Sequence, residues 1–112
     1  MAGRKLFTNK SGYFMKVELI IRRSENPADQ AGSTSFDLPA QKSLWQTYGD
    51  NQNIYLNGIR LIAVANGALI DEGFIVIQRS SDLDNKLNMR NGVDFDYTGS
   101  AFNLSTRQVQ QI

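Results

Sequence analysis

Residues Ile59–Gln78 read IRLIAVANGALIDEGFIVIQ, which is two apolar runs on either side of Asn66-Gly67. Asn and Gly both tolerate a positive φ, as the type I′ turn of a two-residue β-hairpin requires, and the β-branched residues around them suit strands. The stretch therefore predicts a β-hairpin, and we expect the rest of the fold to be built around it.

Apolar side chains occupy both faces of this predicted hairpin. A half-solvated strand alternates apolar and polar residues, whereas here Ile and Val occur at both parities, so both faces favour burial. If Leu61, Ala63, Phe74 and Val76 face the core, the opposite face is left without a cover. Leaving its side chains in water forgoes roughly 1.5–3 kcal/mol each. We expect an interface with another copy of the chain there, formed by Ile20, Ile62, Val64, Ile75 and Ile77.

The alternative cover comes from the same chain, as a short helix together with the long loop Ser24–Gly32. Ser81 is a suitable N-cap, Asp82 and Asp84 suit a first helical turn, and Leu83 and Leu87 lie four residues apart on one face. Such a helix has only about two turns, so it is short for covering the whole ribbon.

Further short strands are predicted on both sides of the hairpin. The clearest is Tyr13–Arg22, where apolar residues alternate with Lys16, Glu18 and Arg22. Asn57-Gly58 fits either another tight turn or a bulge just before the hairpin, and we expect the bulge because the three residues before Asn57 make a poor independent strand. The remaining predicted strands are Arg4–Thr8, Ser35–Leu38, Ser43–Tyr48, Val93–Tyr97 and Ala101–Ser105.

Seven or eight short strands separated by turn residues, with one short helix, predict an all-β fold. We expect an antiparallel β-sandwich of immunoglobulin-like or jelly-roll-like type, forming a single domain over residues 1–112.

Composition excludes several classes of chemistry. The chain has no Cys and no His, so disulfides, thiol catalysis, imidazole bases and most zinc or copper sites are excluded. Lys and Arg number 12 against 11 Asp and Glu, which gives no long-range attraction to nucleic acid. No run approaches the ~18–20 apolar residues of a membrane span, and no secretory signal peptide is visible at the start of the chain. A cytoplasmic protein without a cofactor is the expectation.

Four aspartates form two Asp-x-Asp pairs, and because Ca²⁺ binds carboxylate oxygens, these pairs are candidates for a calcium site. The candidate ligands are Asp82, Asp84, Asp94 and Asp96. The alternative interpretation is structural, because the first pair suits a helix N-terminus and the second suits the wet face of a strand.

Aromatic and amide side chains suggest a site for a glycan or another polar ligand, since aromatic faces stack on sugar rings. The candidates are Trp45, Tyr48, Asp50, Asn51, Asn53 and Tyr55. The same residue types also serve as ordinary half-buried sheet residues and polar loops.

Taken together, these patterns predict a non-catalytic binding or assembly module that is a homo-oligomer through its apolar sheet face. The alternative is a small lectin-like or calcium-assisted ligand-binding protein that uses loops at one end of the sandwich.

Overall fold

The computed structural model describes residues 3–23, 30–50, 53, 55–65, 67–78 and 80–109. Within these ranges the chain forms β1 (Gly3–Asn9), β2 (Met15–Arg22), β3 (Gln30–Leu38), β4 (Ser43–Tyr48), β5 (Leu56–Ala65), β6 (Ala68–Ile75), α1 (Asp82–Asn88), β7 (Gly92–Tyr97) and β8 (Phe102–Arg107). The strands make two four-stranded sheets: sheet 1 has the order β4-β1-β7-β8, and sheet 2 has the order β3-β2-β5-β6. The predicted all-β architecture with one short helix is confirmed.

The central hairpin is confirmed as β5 and β6. Ala65 pairs with Ala68 at its tip, which leaves a two-residue connection. Gly67 has a φ of 79°, in the region that such a turn requires. Asn66 lies outside the described residues.

The predicted bulge is also confirmed. Ile20 pairs with Gly58 whereas Ile21 pairs with Leu56, so Asn57 is the extra residue on β5. A Cβ on Gly58 would lie 2.8 Å from Cδ1 of Ile75 and 3.1 Å from the carbonyl oxygen of Phe74. Only glycine therefore fits where the bulged strand passes β6 without a shift in its neighbours.

The core lies between the two sheets, whose inward faces contribute to one cluster of buried side chains. Phe7 of sheet 1 lies 5.3 Å from Phe36 of sheet 2 between ring centroids, and 6.2 Å from Phe95 of its own sheet. The period-2 pattern of β2 places Met15, Val17, Leu19 and Ile21 in this core.

The link between β3 and β4 crosses from one sheet to the other. β3 is an edge strand of sheet 2 and β4 is an edge strand of sheet 1, with Pro39 between them. β3 begins at Gln30, five residues before the start predicted at Ser35. Its first half is polar and lacks a period-2 signal, and it is a strand because it pairs with β2.

One strand pairing differs from the predicted antiparallel arrangement. β1 pairs with β7 in parallel, with Leu6 opposite Gly92 and Phe7 opposite Val93. The other pairings among the described strands are antiparallel. Because β1 and β7 are far apart in the chain, no tight turn between them dictates their relative direction.

The helix closes the core and leaves the outer face of the hairpin exposed. Ser81 is its N-cap, accepting a hydrogen bond from the backbone N–H of Asp84 at 3.3 Å. Leu87 is fully buried and Leu83 packs against the core. The predicted helix is confirmed, but its two leucines point into the core, so Val64 on the outer face stays 59% exposed.

Asn88 joins the helix to the start of β5. Its side chain accepts a hydrogen bond from the backbone N–H of Leu56 at 2.7 Å and donates to the carbonyl of Leu56 at 2.9 Å. It therefore pairs both backbone groups of a buried residue, as a neighbouring strand would. This α1 is the only helix among the described residues, and none there is long and apolar enough to cross a membrane.

We expect Asn88→Ala to lower the free energy of unfolding by about 2 kcal/mol, because two buried backbone groups lose their partners. Urea denaturation measures the change. Asn85→Ala is the matched control, since Asn85 lies on the same helix with an exposed side chain. Equal losses in the two variants would contradict this role of Asn88.

Candidate functional site

The outward face of sheet 2 carries an apolar surface near the tip of the β5–β6 hairpin. We call it the hairpin patch, and it consists of Phe14, Ile62, Val64 and Leu69. Val64 and Leu69 are cross-strand partners, and their side chains are 59% and 72% exposed. Phe14, just before β2, is 55% exposed. These side chains line a groove of about 320 Å³ together with Lys16 and Ala63.

Alternation of side chains places these residues on one face. On β2 the even-numbered residues point outward, so Phe14 lies on the same face as Lys16 and Glu18. On β6 the odd-numbered residues point outward, so Leu69 lies on the same face as Ile75. Phe14 and Leu69 were not among the predicted interface residues. The same parity rule that selected Ile20 and Ile75 would have found them.

The other predicted interface residues lie toward the opposite end of the same face. Ile20 is half-buried and pairs with Gly58, which in turn pairs with Ile75, so the three form one row across the sheet. Ile75 is 36% exposed. Ile77 is 86% exposed but lies beyond the end of β6, so it is beside this face and not part of its ladder.

Charged side chains separate the two apolar ends. We call Glu18, Arg60 and Asp71 the Arg60 network. The Arg60 guanidinium donates to both carboxylate oxygens of Asp71, with Nε 2.8 Å from Oδ1, and its Nη1 lies 3.9 Å from Oε1 of Glu18. These hydrogen bonds lower the pKa of Asp71 and raise that of Arg60. The charges of this face therefore have partners of opposite sign within the face.

Lys16 and Asp37 add a second pair of opposite charges. They are direct cross-strand neighbours on β2 and β3, with side chains on the outward face. Because opposite charges alternate across the strands, the face does not present a strong field of one sign to an approaching molecule. Two copies of this face would therefore not repel each other strongly.

The candidate glycan residues do not share one surface. Trp45 lies on the outward side of sheet 1, where the Arg4 guanidinium stacks 4.4 Å from its ring centroid. Tyr48 is buried in the core, and this burial raises the pKa of its phenol. Tyr55 stacks with the Arg22 guanidinium at the base of sheet 2. The indole and the two phenols therefore do not form a joint stacking platform.

Two of the candidate loop residues, Asp50 and Asn53, are bonded to each other. The backbone N–H of Asn53 donates to Oδ1 of Asp50 at 2.8 Å, and the backbone N–H of Asp50 donates to the carbonyl of Asn53 at 3.1 Å. This carboxylate therefore organises its own loop. Asn51 lies outside the described residues.

Two of the four aspartates of the calcium hypothesis, Asp84 and Asp94, are buried and bonded to other groups. Buried Asp84 accepts hydrogen bonds from the Ser80 N–H at 3.0 Å and the Asn88 amide at 2.9 Å. Buried Asp94 lies 2.9 Å from Nε of Arg107 and 3.3 Å from Nζ of Lys10. Asp82 and Asp96 are exposed. Over the described ranges, no three or more carboxylates form a group that could hold a metal ion.

Lys5 is a buried cation on the inward face of β1. Its residue is 5% exposed, and its ammonium donates a hydrogen bond to the backbone carbonyl of Arg90. No carboxylate of the described residues lies within ion-pair distance of it. Burial therefore lowers the pKa of Lys5 from 10.5 to about 8.

Stability should consequently depend on pH through Lys5. Below pH 8 the amine is charged in both the folded and the unfolded chain, and the folded state bears the full cost of burial. Between about pH 8 and 10 the folded chain has released this proton and the unfolded chain has not, so the free energy of unfolding rises with pH. Above about pH 10, ionisation of Tyr48 in the unfolded chain opposes this rise.

We expect the unfolding free energy of the wild type to rise by about 2 kcal/mol between about pH 7.5 and 9.5. In Lys5→Met the rise should disappear. Lys42→Met is the control, because it removes an exposed lysine and should retain the rise. Urea denaturation at each pH measures it, and a rise that persisted in Lys5→Met would contradict this assignment.

Comparison with known proteins adds no family to this picture. No protein-family model, curated protein or solved structure matches the chain significantly. Function must therefore be inferred from the geometry of the chain itself, where the hairpin patch groups several exposed apolar side chains on one sheet face.

Proposed function

We propose that this chain is a non-catalytic binding or assembly module that self-associates through the outward face of sheet 2. The observation that carries the proposal is the hairpin patch, where Phe14, Val64 and Leu69 are each more than half exposed. Adjacent large apolar side chains of this kind are typical of interaction surfaces. The chain also lacks the histidine and cysteine on which most nucleophilic and acid–base catalysis depends.

A second copy of the same face is the partner that the charges favour. Glu18 and Asp71 are paired with Arg60, and Lys16 lies opposite Asp37. A strongly charged partner would meet no excess of opposite charge on this face. An identical face is apolar, and its positive and negative charges are nearly equal in number. A two-fold axis through this face would bring the same patch together on both copies.

The size of a stable interface indicates how far the contact extends. Specific interfaces bury about 800 Å² on each partner, which is more than the four side chains of the hairpin patch supply. The row of Ile20 and Ile75 lies on the same face beyond the Arg60 network. We infer that the interface spans the face from the hairpin patch to this row.

We also propose that the two sheets form a sandwich of immunoglobulin-like or jelly-roll-like type. Their shared core and the β3–β4 link, which passes from one sheet to the other, support this assignment. A fold of this kind does not by itself imply a function. It leaves broad outward sheet faces that can meet partners.

Light scattering on a sizing column tests the self-association. We expect the wild type to elute as a dimer or larger oligomer at high concentration and to dissociate on dilution. Val64→Lys and Leu69→Lys should each weaken association by about 100-fold, because each places a charge in the apolar contact of both copies.

Met89→Lys is the matched control. Met89 is 73% exposed, like Leu69, but it lies at the end of α1 and not on sheet 2. This variant should associate as the wild type does. A wild type that remains monomeric at every concentration, or Val64→Lys and Leu69→Lys chains that associate normally, would overturn the proposal.

A further inference from the structure

A second groove lies between α1 and β8, away from the outward face of sheet 2. Its volume is about 420 Å³, which lies within the range of small-molecule sites. Asn85, Lys86 and Met89 of the helix segment line one side, Ser105 of β8 lines another, and Arg90 lies between them. An ammonium, a guanidinium, an amide and a hydroxyl therefore border one space.

The polar side chains that border this groove make few ion pairs or hydrogen bonds within the described part of the chain. Lys86 makes no ion pair there, although Asp82 lies one helical turn before it. The side chains of Asn85 and Ser105 make no hydrogen bond to another described residue. Arg90 uses one N–H to bond the carbonyl of Thr106 at 3.3 Å. That contact places the guanidinium at the groove and leaves other donors available.

Positive charge predominates around the groove. Lys86 and Arg90 are opposed by a single lining carboxylate, that of Asp82. The buried ammonium of Lys5 bonds the carbonyl of Arg90 from the core side and has no acidic partner among the described residues. Burial of this cation lowers its pKa, so an anion bound nearby would stabilise its charged form. The positive charges of Lys5, Lys86 and Arg90 therefore outnumber the single carboxylate that lines the groove, that of Asp82.

We propose that this groove binds a small organic anion that carries a carboxylate or phosphate group and neighbouring hydroxyls. The acidic group lies between Lys86 and Arg90, where charge-assisted hydrogen bonds are strongest. The hydroxyls bond to Asn85 and Ser105, and the exposed thioether of Met89 contacts the carbon skeleton. This site is independent of the self-association proposed for sheet 2.

Titration of the full ¹⁵N-labelled chain tests the proposal by ¹H–¹⁵N correlation spectra. The probes are glycerol 3-phosphate and glycerate, which carry the two kinds of acidic group, and glycerol is the neutral control. We expect at least one of the two anions to cause saturable shifts at the amides of residues 82–90 and 104–107, and glycerol to cause none. The anion with the lower dissociation constant identifies the preferred acidic group.

Lys86→Met and Arg90→Met should each raise the dissociation constant of the bound anion about 10-fold, since each removes one charged contact. Lys42→Met removes an exposed lysine outside the groove and should leave the constant unchanged. Three results would overturn the proposal: no saturable shift with either anion, shifts of equal size with glycerol, or unchanged affinity in both groove variants.

Discussion

The register between β2 and β5 fixes which side chains enter the core between the two sheets. Val17 lies opposite Leu61 and Leu19 lies opposite Ile59, and all four are fully buried. Because side chains alternate along a strand, a slip of one residue would turn this whole row toward solvent. The bulge at Asn57 then resets the alternation, so that Leu56 points inward opposite Ile21 and extends the core to the base of the sheet.

The same alternation creates the surface to which we assign the function. Once Leu61 and Ala63 are directed into the core, Ile62 and Val64 must point away from it. The helix does not cover them, because Leu87 fills the core between the sheets. Exposure of the hairpin patch is thus a consequence of core packing, and contact with a second copy is a way to bury it.

Several polar side chains, among them the calcium candidates Asp84 and Asp94, hold the elements of the fold together. Asp84 and Asn88 bond each other and connect α1 to neighbouring backbone groups. Glu72 of β6 accepts a hydrogen bond from the backbone N–H of Phe102 at 2.8 Å, which joins the edge strands of the two sheets. Asp94 holds Arg107 and Lys10 on sheet 1. Arg107 and Lys10 are distant from Asp94 in the chain, so local spacing could not show that this carboxylate is already paired.

The local elements of this fold can be predicted from the order of the residues. Asn66-Gly67 marked the hairpin, Asn57-Gly58 marked the bulge, and Ser81 marked the start of the helix. These predictions succeeded because turn chemistry, capping and period-2 alternation are properties of neighbouring residues. The same alternation identified which side chains of β5 and β6 face away from the core.

Which elements meet depends on packing between distant parts of the chain. The parallel pairing of β1 with β7, the inclusion of the polar residues from Gln30 in β3, and the helix's position over the core all depend on contacts between distant segments. The groove formed by Lys86, Arg90 and Ser105 likewise exists only because α1 packs beside β8. Sequence spacing carries no record of these contacts, because their free energy arises from surfaces that come together only when the chain folds.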